Sequence, residues 1–110
     1  MQKIEKLTRR FIELYAAKDI NTISDMFSED IVLRDWNYEV VGKDAAIIEF
    51  TKNFDEAETL HISIKNIYLS ELSGAAEIEV TVNGLILSIV DVVTFDSAEQ
   101  ITSVIAYRGF

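Results

Sequence analysis

The apolar residues of this chain change their spacing once, about halfway along, and that change limits the fold more than any other feature. In the first half they recur at three- and four-residue intervals. Ile4, Leu7, Phe11, Leu14 and Tyr15 make one stripe over residues 3–17, as one face of a helix requires. Lys18 and Asp19 break the stripe. Asp19 is placed to cap a second short helix through Ile20, Ile23, Met26 and Phe27, which Ser28, Glu29 and Asp30 end. Residues 31–36 read as a short strand. Gly42-Lys43-Asp44 opens a third helix, with Asp44 as its cap, Ile47, Phe50 and Phe54 on its buried face, and a loop at 55–58.

Beyond that loop the period becomes two. Leu60, Ile62 and Ile64 alternate with polar residues, and the parity then shifts to Ile67 and Leu69, which predicts a β-bulge near Lys65-Asn66. Ala76, Ile78, Val80 and Val82 alternate with Glu77, Glu79 and Thr81, so this strand has one solvated face. Asn83-Gly84 is a two-residue hairpin signal. A nearly continuous apolar strand, 85–95, follows, then a turn at 96–100 and a last strand, 101–108. Helices first and a strand meander second predict an α+β fold. At 110 residues the chain is one domain, 1–110, with one core.

Composition narrows the function. There is no cysteine, which excludes disulfides and thiolate metal sites. Ten Lys and Arg against nineteen Asp and Glu give a net charge of -9, and the only adjacent cations are Arg9-Arg10. That balance argues against nucleic acid and against anionic membranes. The N-terminal residues 1–14 read as an amphipathic helix, with no apolar run of the signal-peptide kind. The longest apolar stretch, 85–95, is interrupted by Ser88 and Asp91 and is too short to span a bilayer. A cytoplasmic location is the expectation. No phosphate-binding glycine loop, dinucleotide fingerprint or Ser-His-Asp set is present, so no cofactor is expected.

Several segments, in this order, resemble the nuclear transport factor 2-like superfamily, which includes ketosteroid isomerases and SnoaL-like polyketide cyclases. Arg10-Phe11-Ile12 through Ala17-Lys18-Asp19-Ile20 resembles its first helix and corner. Met26-Phe27-Ser28-Glu29-Asp30 resembles the end of its second helix, and Gly42-Lys43-Asp44-Ala45-Ala46-Ile47 the start of its third. Val90-Asp91-Val92-Val93-Thr94-Phe95, Ile101-Thr102-Ser103 and Ala106-Tyr107 resemble its final hairpin. The resemblance implies a cone: a curved, mostly antiparallel sheet wrapped around a long N-terminal helix, with a pocket inside.

Ketosteroid isomerases use an aspartate base on the first strand, a tyrosine of the first helix and a protonated aspartate on a late strand. Carried onto this chain, the resemblance puts Asp35 at the base position and Asp91 at the oxyanion-donor position. The tyrosine position falls on Phe11, which cannot donate a hydrogen bond; Tyr15 lies one turn further along the same face. SnoaL-like cyclases also use an aspartate base in this cone.

On chemical grounds Asp91 stands out, because a carboxylate amid Leu87, Ile89, Val93 and Phe95 must be paired, hydrogen-bonded or protonated. Asp35 lies near a strand end, where an ion pair with Arg34 is the ordinary outcome. Trp36 beside it is placed either at a pocket mouth or in an interface. Val104 and Arg108 share parity on the last strand, so Arg108 is available to an anionic ligand, a carboxylate or a rim ion pair. His61 points away from Leu60, Ile62 and Ile64 and has no metal-ligand spacing around it. Three readings remain open: a cofactor-independent isomerase or cyclase, a pocket that holds a small hydrophobic molecule without chemistry, and a dimerisation domain. Apolar residues on both faces of the late strands, Ile86, Val90 and Val92 opposite Leu87, Ile89 and Val93, predict a homodimer through the sheet.

Overall fold

A computed structural model describes residues 2–109; Met1 and Phe110 of the expected 1–110 domain lie outside the described residues. The helices are α1 (Lys3–Ala16), α2 (Ile20–Ser24) and α3 (Lys43–Glu56). The strands are β1 (Phe27–Arg34), β2 (Glu39–Val41), β3 (Leu60–Leu69), β4 (Ser73–Val82), β5 (Leu85–Phe95) and β6 (Ile101–Arg108). One curved six-stranded sheet runs in the order β2-β1-β6-β5-β4-β3. All its pairings are antiparallel except β1 with β6, which is parallel. Helix α1 lies against β3 and β4, and α3 lies against β1 and β2. This is the α+β cone with a long N-terminal helix.

Local chemistry accounts for the boundaries. Helix α1 closes in a Schellman motif: Lys18 N–H donates to Tyr15 and Asp19 N–H to Leu14, with Lys18 at φ 56. Lys18 Nζ also donates to the Ala57 carbonyl, which ties this corner to the end of α3. The Asp19 side chain accepts from Thr22 N–H and caps α2. Asn83 at φ 50 and Gly84 at φ 83 form the β4–β5 hairpin turn, both in the left-handed region that a type I′ turn demands. The register of β3 against β4 shifts between Ile64 and Asn66, at the predicted bulge.

Several boundaries differ from the sequence reading. Met26 and Phe27 do not extend α2. The helix stops at Ser24, and Phe27 opens β1 opposite Ile101 of β6, where its ring is buried against Phe50. Strand β1 therefore starts four residues early and ends at Arg34, leaving Asp35 in the turn that follows. Strand β2, three residues long, carries no alternation that sequence could reveal. Asp44 is not the cap of α3. Gly42 holds that position at φ 102, and Asp44 sits in the first turn, where a carboxylate favours the positive end of the helix dipole. The helix also absorbs Asp55 and Glu56 of the expected loop.

The core gathers on the concave side. Phe11, Phe27, Phe50 and Phe54 are buried; Phe11, Phe50 and Phe54 pack edge to face or tilted with Tyr15, and Phe27 packs edge to face with Phe50. Ala76, Ile78 and Val80 of β4 and Ile89, Val93 and Phe95 of β5 close the core from the sheet. Helix α1 reaches the sheet where Thr8, fully buried, meets Gly74; a side chain at 74 would overlap the Thr8 hydroxyl.

Candidate functional site

The cone encloses a cavity of about 330 Å³, inside the usual range for small-ligand pockets. Its walls are mostly apolar: Phe11, Leu33, Phe50, Ile62, Leu87 and Val104 among them. Into these walls project Asp35, Asp91, Tyr15, Tyr38 and Asn53.

Sheet register explains how two carboxyls distant in sequence meet here. Asp91 of β5 pairs with Ala106 of β6, and Arg34 of β1 pairs with Ile105. Asp35, next along from Arg34, is therefore level with Ala106 from the other side. Two strand spacings, about 10 Å, separate the backbones of Asp35 and Asp91. The methyl of Ala106 leaves the space between them open.

The surface that Asp91 keeps lines the cavity, and its carboxyl is otherwise enclosed by protein. Ala76 and Ala106 are its cross-strand neighbours, and it accepts no hydrogen bond among the described residues. Burial, reinforced by the charge of Asp35, pushes its pKa up to about 7. Arg108 does not neutralise it. The Arg108 guanidinium lies 5.6 Å from the centre of the Trp36 ring, a cation–π contact at the rim. Arg108 is not among the cavity's lining residues and forms no ion pair among the described residues.

Asp35 is held by its own turn. Its Oδ1 accepts from Asn37 N–H at 2.6 Å and from Tyr38 N–H at 3.1 Å. This leaves Oδ2 without a protein partner among the described residues. Arg34, the partner expected for Asp35, instead reaches Glu39 across the hairpin at 3.7 Å. Trp36, beside Asp35, is 42% exposed and lines the cavity.

The match that assigns the family runs over most of the chain: residues 8–104 fit the SnoaL-like domain. The chain belongs to the SnoaL-like domain family. No curated protein matches its sequence. Solved structures with the same fold include an NTF2-like protein of unknown function from Cytophaga hutchinsonii, at 11% identity and TM-score 0.83, covering 99% of this chain and 92% of that one. A candidate SnoaL-like polyketide cyclase from Shewanella putrefaciens superposes at TM-score 0.88 and 12% identity, covering 98% and 80%. Another from Shewanella denitrificans gives 0.83 and 13%, covering 99% and 92%. At such identities the likeness is one of fold.

Within this SnoaL-like domain, Phe11, Tyr15, Asp35, Trp36, Asp91 and Val104 all line this same cavity. His61 is exposed on the other face of β3, opposite Thr81. Among the described residues no three His, Cys, Asp or Glu side chains gather as a metal site would need.

Among the cavity residues that escaped the sequence reading are Tyr38 and Asn53. Tyr38 follows the turn that Asp35 caps. Asn53 had a legible signal: it shares the helical face of Phe50, Phe54 and Ala57, a polar residue inside an apolar stripe. Desolvation raises the pKa of Tyr15 to about 12 and raises that of Tyr38 as well; the Asn53 amide, facing both hydroxyls, pulls each partly back. Both phenols therefore stay protonated at neutral pH.

Proposed function

We propose that this domain binds an apolar carbonyl compound and moves a proton at the carbon beside the carbonyl, without a cofactor. The observation that carries this reading is the pair of carboxyls in unlike settings facing one apolar cavity across Ala106. Asp35, anchored by two backbone amides through Oδ1, offers Oδ2 as the base. It takes a proton from the α-carbon, and the C–H electron pair moves to the carbonyl oxygen as an enolate. Asp91, in its protonated form, donates a hydrogen bond to that oxygen. With a pKa near 7 it is about half protonated at neutral pH, and a ligand that displaces cavity water raises the protonated share. Asp35 then returns its proton to carbon.

The second reading is binding without chemistry, favoured by Phe11, which supplies no donor to the enolate.

Hydrogen–deuterium exchange at the α-carbon of 2-tetralone, a bicyclic apolar ketone, separates the two readings. Proton transfer predicts exchange faster than in buffer and a fall of roughly 10²–10⁴ in the Asp35→Asn protein. Tight binding of 2-tetralone with exchange at the buffer rate favours the second reading.

A further inference from the structure

Tyr15, Tyr38 and Asn53 take no part in the proton transfer described above, yet their polar ends meet in the same cavity from three separate elements. Tyr15 comes from α1. Its ring is clamped by Phe50 at 5.0 Å and Phe54 at 4.8 Å, both edge to face, which leaves the hydroxyl as its exposed end. Tyr38 comes from the end of the β1–β2 turn, where its backbone N–H is held by Asp35 Oδ1. Asn53 comes from the inward face of α3, between Phe50 and Phe54. The Asn53 side chain faces both hydroxyls, so the three groups form one polar cluster in a mostly apolar wall, with donor and acceptor capacity to spare for a ligand.

We infer that Tyr15, Tyr38 and Asn53 form a second oxygen-binding station, so that the preferred ligand is an apolar ring compound bearing two oxygen functions, one for Asp91 and one for this station. The inference rests on the proposed reading of the pocket and adds a substrate class to it. Hydroxyls and a carboxamide both donate and accept, so a carbonyl or a hydroxyl oxygen satisfies them equally. The phenols remain neutral and keep their protons for the ligand. A compound with a single oxygen engages Asp91 or this cluster but not both, and that difference is the basis of selection.

Calorimetric binding of naphthalene, 2-naphthol and the 1,3-, 1,6- and 2,6-dihydroxynaphthalenes tests this on the whole chain, compared with Tyr38→Phe, Tyr15→Phe and Asp91→Ala. At least one diol should bind wild type roughly five- to tenfold more tightly than 2-naphthol. That diol should lose affinity in Asp91→Ala and in at least one of the two tyrosine variants. 2-Naphthol should weaken at one of the two stations only, and naphthalene should weaken in none, which also reports an intact cavity. The inference is overturned if no diol is preferred, or if the diol weakens in Asp91→Ala while both tyrosine variants bind it as wild type does; the pocket reading survives either result. If none of the compounds binds, both are overturned.

Discussion

Asp35 and Asp91 face each other across the methyl group of Ala106, one at the end of a strand parallel to β6 and the other on its antiparallel neighbour. Neither is matched by an arginine: Arg34 reaches Glu39, and Arg108 lies over Trp36. Two carboxyls that face one largely apolar cavity and form no ion pair among the described residues make its protonation state, and its open volume, the properties that experiment can address.

Filling the gap is the most local perturbation. Ala106→Leu places an isobutyl group between the carboxyls, in the space a ligand needs. We expect at least a tenfold loss of 2-naphthol binding with little loss of stability, because the added atoms enter an existing cavity. Calorimetry alongside thermal melting reads both.

A second test adds the donor that Phe11 lacks. Phe11 is 1% exposed and lines the cavity, so Phe11→Tyr brings a phenol to its wall. If proton transfer is the function, exchange at 2-tetralone should rise by about tenfold or more. An unchanged rate in a folded variant would mean that the enolate oxygen is not formed near α1.

The packing of α1 on the sheet gives a prediction independent of function. Gly74→Ala would drive a methyl into Thr8 Oγ1 and to 2.9 Å from Thr8 Cβ. Helix and strand would have to separate, at a cost of about 1–3 kcal/mol. Urea denaturation measures it, and a change below about 0.5 kcal/mol would mean that α1 sits further from β4.

These sites differ in how far the sequence announced them. Period-two alternation and Asn83-Gly84 located β4 and β5, and the parity shift located the bulge, because burial on one face imposes the pattern directly. Asp91 was legible for the same reason, as a carboxyl on the buried parity. Phe27 misled because helical spacing and the start of a strand look alike over a few residues. The pairing of β1 with β6 is a contact between distant segments, so the approach of Asp35 to Asp91 came from the resemblance and not from spacing. Tyr38 was invisible because its place depends on a turn set by the Asp35 side chain.

The homodimer expected from the sequence would form on the outer face of the sheet. Ile86, Tyr68 and Tyr107, which share its parity, are all more than half exposed, at 62%, 57% and 53%. We propose that a second copy covers this face. Light scattering should then give about twice the 12.5 kDa chain mass, and Ile86→Lys should shift it toward a monomer. A monomer mass for wild type at high micromolar concentration contradicts the proposal.

Stability should also carry the signature of Asp91. Its folded pKa, about 7, lies above the unfolded value of about 3.9, so the folded state binds more protons between those limits. The contribution of Asp91 is fully present below about pH 4 and is lost as pH rises toward 7, by an amount on the order of a few kcal/mol, reduced by any water that the cavity admits. Asp91→Asn removes this dependence. Relative to wild type it should therefore gain stability between pH 5 and 8, measured as the change in urea midpoint.

The most direct test of the whole account is a carboxyl-carbon NMR titration of Asp91 in wild type and in Asp35→Asn. A wild-type midpoint near 7 is expected, moving down when the Asp35 charge is removed but staying above the ordinary aspartate value, because burial is the larger cause. Arg108→Gln should leave it unchanged, since that guanidinium lies on Trp36. A wild-type midpoint at or below about 4 would mean that Asp91 is ionised and compensated, and would contradict its role as a neutral donor in this cavity.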